Sequence, residues 1–208
     1  MDLSNPLATV TGALDASVLQ VLAATTGFCT AAEVHRRSSR GSDQGVRKVL
    51  DRLVEQGIVA ADTSSRNVLY RLNRDHLAAK HIIALSWLRM EVVDSIKAEI
   101  SLWTVAPIHS SLFGSFARGS ADESSDIDVL VVRPSALQDA AEETWLGQVG
   151  RLAERITIWT GNAGHVLDVT PDTLGRMARE NDPLVQSWRA EQVPLFGAPL
   201  LELLRKLR

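Results

Sequence analysis

Between Leu112 and Val132 the chain reads LFGSFARGSADESSDIDVLVV, where one apolar run ends in Gly114-Ser115 and another opens with Asp126-Ile127-Asp128. In an extended strand alternate side chains share a face, so Asp126 and Asp128 project together, their Cα atoms roughly 6–7 Å apart. That span suits two divalent cations roughly 3.5–4 Å apart that share oxygen ligands. Gly114 lets a ligand approach the backbone closely, and Ser115 adds a hydroxyl. If Phe116 to Gly119 opens a helix, its free N–H groups point at the same spot, with Arg118 as an added cation. A phosphate cradle beside paired carboxylates is the equipment of phosphoryl transfer on a nucleoside triphosphate.

The order Gly114-Ser115-Phe116-Ala117-Arg118-Gly119 and then Ser125-Asp126-Ile127-Asp128 resembles the signature of the DNA polymerase β-like nucleotidyltransferase superfamily. Within it, the likeness is to the small minimal and antibiotic-type bacterial members. It covers about twenty residues directly and, by inferred architecture, the chain from about Ile108 onward. The resemblance implies transfer of a nucleoside monophosphate from a triphosphate such as ATP to an acceptor hydroxyl. It also implies two Mg²⁺ ions, or Mn²⁺ in their place, held by Asp126, Asp128 and a third acid from a later neighbouring strand. Asp168 is that expected acid, and one of the three can also deprotonate the acceptor. Its rival, Asp172, falls in a first helical turn, where an acid is expected on electrostatic grounds. Gly114, Ser115, Arg118 and Ser125 are the expected nucleotide contacts. Arg118 has a second reading, as a partner of the spacer acids Asp122 and Glu123. His165 can approach the site or serve only in packing.

These residues need elements to hold them. Ile108 to Phe113 reads as a strand, and Asp126 to Val132 as another, closed by Pro134. A helix is expected from about Leu137 to Trp159, then a strand, His165 to Val169, with Val166 and Asp168 on one face. Thr170-Pro171 and Asp182-Pro183 are helix starts, and the chain is expected to end in helical segments.

The N-terminal half has a different pattern. Residues 1 to about 14 read as a loosely held arm. Asp15 or Ser17 can cap a helix that ends near Gly27, and Thr30 caps a short helix, Ala31 to Arg37. A turn, Ser38-Ser39-Arg40-Gly41, leads to a helix capped by Ser42 or Asp43. Val46, Val49, Leu50 and Leu53 lie at helical spacing on it, and Gly57 stops it. Two β-like runs, Ile58 to Ala60 and Val68 to Leu72, flank a polar turn from Asp62 to Asn67. This order resembles a winged helix-turn-helix. Its recognition helix would carry Gln44, Arg47 and Lys48, with Arg40 before it and Arg66 in the wing, suited to duplex DNA. A solvated face kept for protein contacts is the other reading. From Arg74 to about Trp103 one long linker helix is expected, with an apolar stripe that packs on a domain or on a second copy as a homodimer. His76 and His81 lack the spacing of a paired metal site on that helix.

The chain has 208 residues, 45% of them apolar, and a net charge of −3, which suits one or two ordinary cores and no chain-wide nucleic-acid coat. Cys29 is the single cysteine, so a disulfide framework is excluded and a cytoplasmic setting is expected. No apolar run spans a membrane, and the first residues lack a basic secretory n-region. The expected fold class is α/β (α+β). Residues 1–75 form the winged domain, 76–104 the linker helix and 105–208 a small mixed-sheet transferase domain. Two function classes follow: a nucleotidyltransferase coupled to a DNA-binding domain, or a DNA-binding transcriptional regulator whose transferase domain senses nucleotide or is inactive.

Overall fold

The computed structural model describes residues 1–38, 40–64 and 66–207. Ser39 and Ser65, each expected in a turn, lie outside them. The chain divides into two compact units: one holds Asp2 and Ser4–Arg89, the other Met1, Leu3 and the residues from Met90 onward. Among the described residues no helix is long and apolar enough to cross a membrane.

The first unit is a winged helix. A 3-10 helix, Pro6–Thr9, precedes α1 (Ala13–Ala23), β1 (Cys29–Thr30), α2 (Ala31–Ser38) and α3 (Asp43–Glu55). Strands β2 (Val59–Asp62) and β3 (Leu69–Leu72) follow, then α4 (Ala79–Ser86). The antiparallel sheet runs β1-β3-β2. Thr30 and Glu33 form a reciprocal capping box: Glu33 N–H donates to Thr30 Oγ1 (3.2 Å) and Thr30 N–H to Glu33 Oε2 (2.8 Å). Ser42 Oγ accepts from Gly45 N–H at 3.1 Å and starts α3, whose stripe of Val46, Val49, Leu50 and Leu53 is buried. Cys29 is buried in this core, the packing role.

Three local expectations need correction. The N-terminal arm is not loose, because Leu7 is buried in the first core and Asn5 donates to Ser17 Oγ at 3.1 Å. That bond also takes Ser17 inside α1, which begins at Ala13 rather than after a cap at Asp15 or Ser17. The long linker helix is two helices, α4 and α5 (Leu88–Ser101). Ser86 Oγ donates to Ile83 O (2.6 Å) and Trp87 N–H to Ala84 O (3.0 Å), a tight turn in place of the next α-helical bond. The division between units falls at Arg89/Met90, inside the stretch expected to link them.

The second unit is a mixed sheet with helices on both faces. After α5 come β4 (His109–Phe113), α6 (Gly114–Arg118), β5 (Ile127–Val132), α7 (Asp139–Thr160) and β6 (Gly164–Val169). They are followed by α8 (Pro171–Arg179), α9 (Pro183–Ala190), β7 (Val193–Gly197) and α10 (Leu200–Lys206). The order is β6-β5-β4-β7, parallel between β5 and β6 and antiparallel elsewhere. On one face Ile127, Val129 and Val131 pack with Trp145, Leu152 and Ile156 of α7. On the other, Leu130 and Val132 pack with Leu174, Val185, Trp188 and Leu204. Strand β7 stands where helix is expected. Pro194 breaks its local pattern, and its partner β4 is remote in sequence, so only the tertiary pairing makes it a strand. Buried His109 ties that pairing: its Nδ1–H donates to Ala198 O (2.8 Å), and its Nε2 accepts from Ser111 Oγ (3.0 Å). Burial pulls the His109 imidazole below its ordinary value, only partly offset by the Ala198 carbonyl.

Candidate functional site

Phe113 at the end of β4 lies opposite Asp128 of β5. The chain then turns through Gly114 at φ +69°, where an added Cβ would meet Asp128 Oδ2 at 2.5 Å. Glycine is needed here twice over, for the left-handed backbone and for the carboxylate resting on it. α6 is a single short helix, anchored by fully buried Phe116 and ended by Gly119 at φ +75°. Ser115 sits half-buried in its first turn.

The spacer that follows is a built loop. Asp122 Oδ1 accepts from Ser125 Oγ (2.8 Å), Ser124 Oγ (2.9 Å) and Ser124 N–H (3.0 Å). Those bonds, Ser125's first, hold the Asp122 carboxyl below the ordinary carboxylate value. Asn162, 3% exposed, donates from Nδ2 to Asp122 O and Ser125 O, both at 2.9 Å. Its Oδ1 accepts from the Met1 ammonium at 2.8 Å. The loop is thereby clamped to the end of α7 immediately before Asp126. A lone asparagine after a helix carries no sequence signal for this role, and the sequence reading misses it. The Ser125 hydroxyl, expected on the nucleotide, is spent inside this loop.

Asp126 precedes β5 and Asp128 lies within it. Beside them stands His165, whose Nδ1 is 3.5 Å from Asp126 Oδ2 and 4.0 Å from Asp128 Oδ1. The parallel register pairs Asp128 with His165, so both side chains leave the same face. Burial pushes the Asp128 carboxyl above its ordinary value; His165 pulls it back, Asp126 adds to the rise, and Arg118 opposes it. Arg118 itself pairs with Glu191 at 3.3 Å rather than with the spacer acids. Both partners are exposed, so that pair is weak and easily opened.

Asp168 is not with the other two acids. It pairs with Val131 in the β5–β6 register, one residue out of phase with Asp128, and so leaves the opposite face of the sheet. There its Oδ2 accepts from Trp145 Nε1 (2.9 Å) and meets Arg133 Nη2 (3.1 Å). Arg133 also holds Glu142 at 2.6 Å. The expected three-carboxylate set is therefore not formed, and His165 stands on the face of β6 that Asp128 shares. Asp172 lies in the first turn of α8, the helix-start role. Among the described residues no group of three or more His, Cys, Asp or Glu side chains is gathered as a metal centre. The oxygens of Asp126 and Asp128 remain the donors that a hard divalent cation uses.

In the winged unit the five expected DNA contacts are all exposed. Arg47 pairs with Asp43 at 2.8 Å and Arg40 with Asp2 at 3.1 Å. Gln44 and Lys48 lie on the open face of α3, and Arg66 in the turn between β2 and β3.

A nucleotidyltransferase domain model matches residues 76–180, and a penicillinase repressor model matches residues 11–100. No curated protein matches the chain. Among solved structures, a toxin–antitoxin crystal structure with AMP-PNP is 18% identical, over 55% of this chain and 82% of that one, at TM-score 0.38. A mutant of the toxin–antitoxin MntA-HpeT is 13% identical over the same shares, at TM-score 0.37. TrmBL2, an archaeal chromatin protein, is 14% identical over 93% of this chain and 89% of that one, at TM-score 0.28. All three scores are low, and the family models carry the assignment.

Proposed function

This chain belongs to the nucleotidyltransferase domain family, and on that premise we propose that it transfers a nucleoside monophosphate from a triphosphate, ATP among the candidates, to an acceptor hydroxyl, while its winged-helix unit binds duplex DNA. The observation that carries this reading is the Asp126–Asp128 pair projecting over the Gly114 turn. Asp126 and Asp128 would hold a divalent cation, Mg²⁺ or Mn²⁺, which neutralises triphosphate charge and polarises the α-phosphorus. The missing side chain at Gly114 makes room for the Asp128 carboxylate, the backbone N–H groups of the turn would meet a phosphate, and Ser115 adds a hydroxyl donor. Arg118, once free of Glu191, can reach the same charge. The Asn162 clamp keeps the spacer loop, and with it Asp126, in one conformation before the ligand arrives.

The penicillinase repressor match over residues 11–100 supports the DNA-binding half. Exposed Lys48 and Arg66, with Arg47 in an exposed pair with Asp43 and Arg40 tied to buried Asp2, supply the phosphate contacts. Leu77 and Trp87, 86% and 59% exposed, support a homodimer through the segment joining the units. The buried single thiol of Cys29 accords with a cytoplasmic setting.

A second reading, a DNA-binding regulator that senses nucleotide without transferring it, is favoured by one observation. The expected third acid, Asp168, is committed to Arg133. Incubation with each labelled triphosphate and Mg²⁺ or Mn²⁺ tests the two. Label appearing on protein, RNA or a small molecule supports the transferase. Nucleotide binding that alters DNA affinity with no label transferred supports the regulator. For the winged unit, Lys48→Ala should weaken DNA binding across sequences and lower the salt slope by about one. Binding unchanged at low salt would remove α3 from the interface.

A further inference from the structure

We propose that His165 is the third protein donor of the cation site, an imidazole in the place expected for a carboxylate, and that it shifts the site's preference from Mg²⁺ toward Mn²⁺. This deepens the transferase reading and rests on it, because it takes Asp126 and Asp128 as the other donors.

The position of His165 is set by the backbone. The parallel ladder puts it beside Asp128, and the next β6 residues on that face are Leu167 and Val169, which offer no donor. The only acid on β6, Asp168, is turned away. Two donors on one ion, each at about 2.1 Å, stand ~3 Å apart when adjacent and ~4.2 Å apart when opposite. The observed separations of Nδ1 from the two carboxylates, 3.5 and 4.0 Å, fall between those limits. The His165 side chain is 65% exposed, and among the described residues its ring has no hydrogen bond to any other group. Among the described residues the three side chains are not gathered as a metal centre, so the proposal requires the exposed His165 ring to turn about its side-chain bonds. The chemistry then biases the ion: Mg²⁺ takes oxygen ligands and keeps its waters, whereas imidazole suits softer first-row cations.

The competing role for His165 is that of a counter-charge between two crowded acids. The two roles differ in sign. A counter-charge competes with the cation, so removing it leaves cation binding equal or tighter; a ligand helps to hold the cation, so removing it weakens binding. The full-length protein is titrated with MnCl₂ alone, by calorimetry and by electron paramagnetic resonance, at a pH above the imidazole range. In the wild type, nitrogen hyperfine coupling to Mn²⁺ is expected. His165→Ala should lose that coupling and weaken Mn²⁺ binding by roughly tenfold or more. His165→Asp should restore binding without the nitrogen signal and favour Mg²⁺ relative to the wild type. Equal or tighter Mn²⁺ binding by His165→Ala, or no nitrogen coupling in the wild type, overturns the proposal. The double variant Asp126→Asn, Asp128→Asn separates the two levels. If it loses Mn²⁺ while His165→Ala keeps it, only the role of His165 falls. If it binds Mn²⁺ as the wild type does, the carboxylate pair and the proposal on it fall together.

Discussion

Asp128 and Asp168 lie on neighbouring strands of one sheet, yet they belong to different kinds of place. Asp168 has an arginine and an indole N–H on one oxygen, and Glu142 extends the network. Asp128 faces another acid, a histidine and the bare backbone of Gly114, and no arginine or lysine lies within ion-pair distance among the described residues. Its burial disfavours its own charge. An acid held by a fixed cation stabilises the fold, even though the other Asp168 oxygen, Oδ1, is buried without a hydrogen-bond partner among the described residues. A crowded acid with no fixed cation is one that a bound cation would relieve, and such local cost is typical of functional positions. Four substitutions test this contrast.

The largest expected effect is on the crowded face. Asp126→Asn with Asp128→Asn should lower label transfer by roughly 10²–10³-fold or more, while the thermal midpoint stays level or rises. A double variant that transfers normally would dissolve the distinction between the faces.

Asp168→Ala should do the reverse. Removing it leaves the Trp145 indole N–H without its partner and Arg133 with Glu142 alone in a partly buried setting, at a cost of about 1–3 kcal/mol, with transfer retained at temperatures where the variant is folded. Chemical denaturation and label transfer on one preparation check both halves. An inactive Asp168→Ala with an unchanged midpoint would return Asp168 to the catalytic set.

Smaller still is the effect of Asp128→Asn alone on stability. Because the folded-state carboxyl titrates above its ordinary value of 3.8, the folded state binds this proton more tightly than the unfolded one. Stability from this group is then lost as pH rises through the folded value. The amide avoids that loss, so its midpoint should exceed the wild type's near neutral pH, and the gap should close below the ordinary carboxylate value. Melting curves across that range suffice.

His109 should give the slightest change, with the opposite pH sense. Its folded-state pKa lies below the ordinary 6.5, so its contribution is complete above that value and fades as pH falls below it, when the unfolded chain takes the proton first. His109→Gln should be less stable near neutral pH and should flatten the stability slope just below 6.5. An unaltered slope would mean that the β4–β7 tie does not depend on a neutral imidazole.

Much of this protein is legible from short stretches of chain. Thr30, Ser42, Thr170 and Asp182 each announce a helix whose start they cap. The Gly114 turn and the Asp126–Asp128 pair stand out because the proposed chemistry would need those residue types at that spacing, and the structure brings them together at the Phe113–Asp128 pairing. What the local pattern leaves open is everything set by pairing across distance. Alternation within β6 correctly puts Val166 and Asp168 on one face, but says nothing about which face of β5 they join; a shift of one residue between strands exchanges the two. The same holds for β7, for the Asn162 clamp and for the docked N-terminal arm. Capping and periodicity act between neighbours in sequence, so the sequence by itself determines them. Register and side-chain partnership depend on which remote backbone fills the adjoining place, and only the tertiary structure decides that.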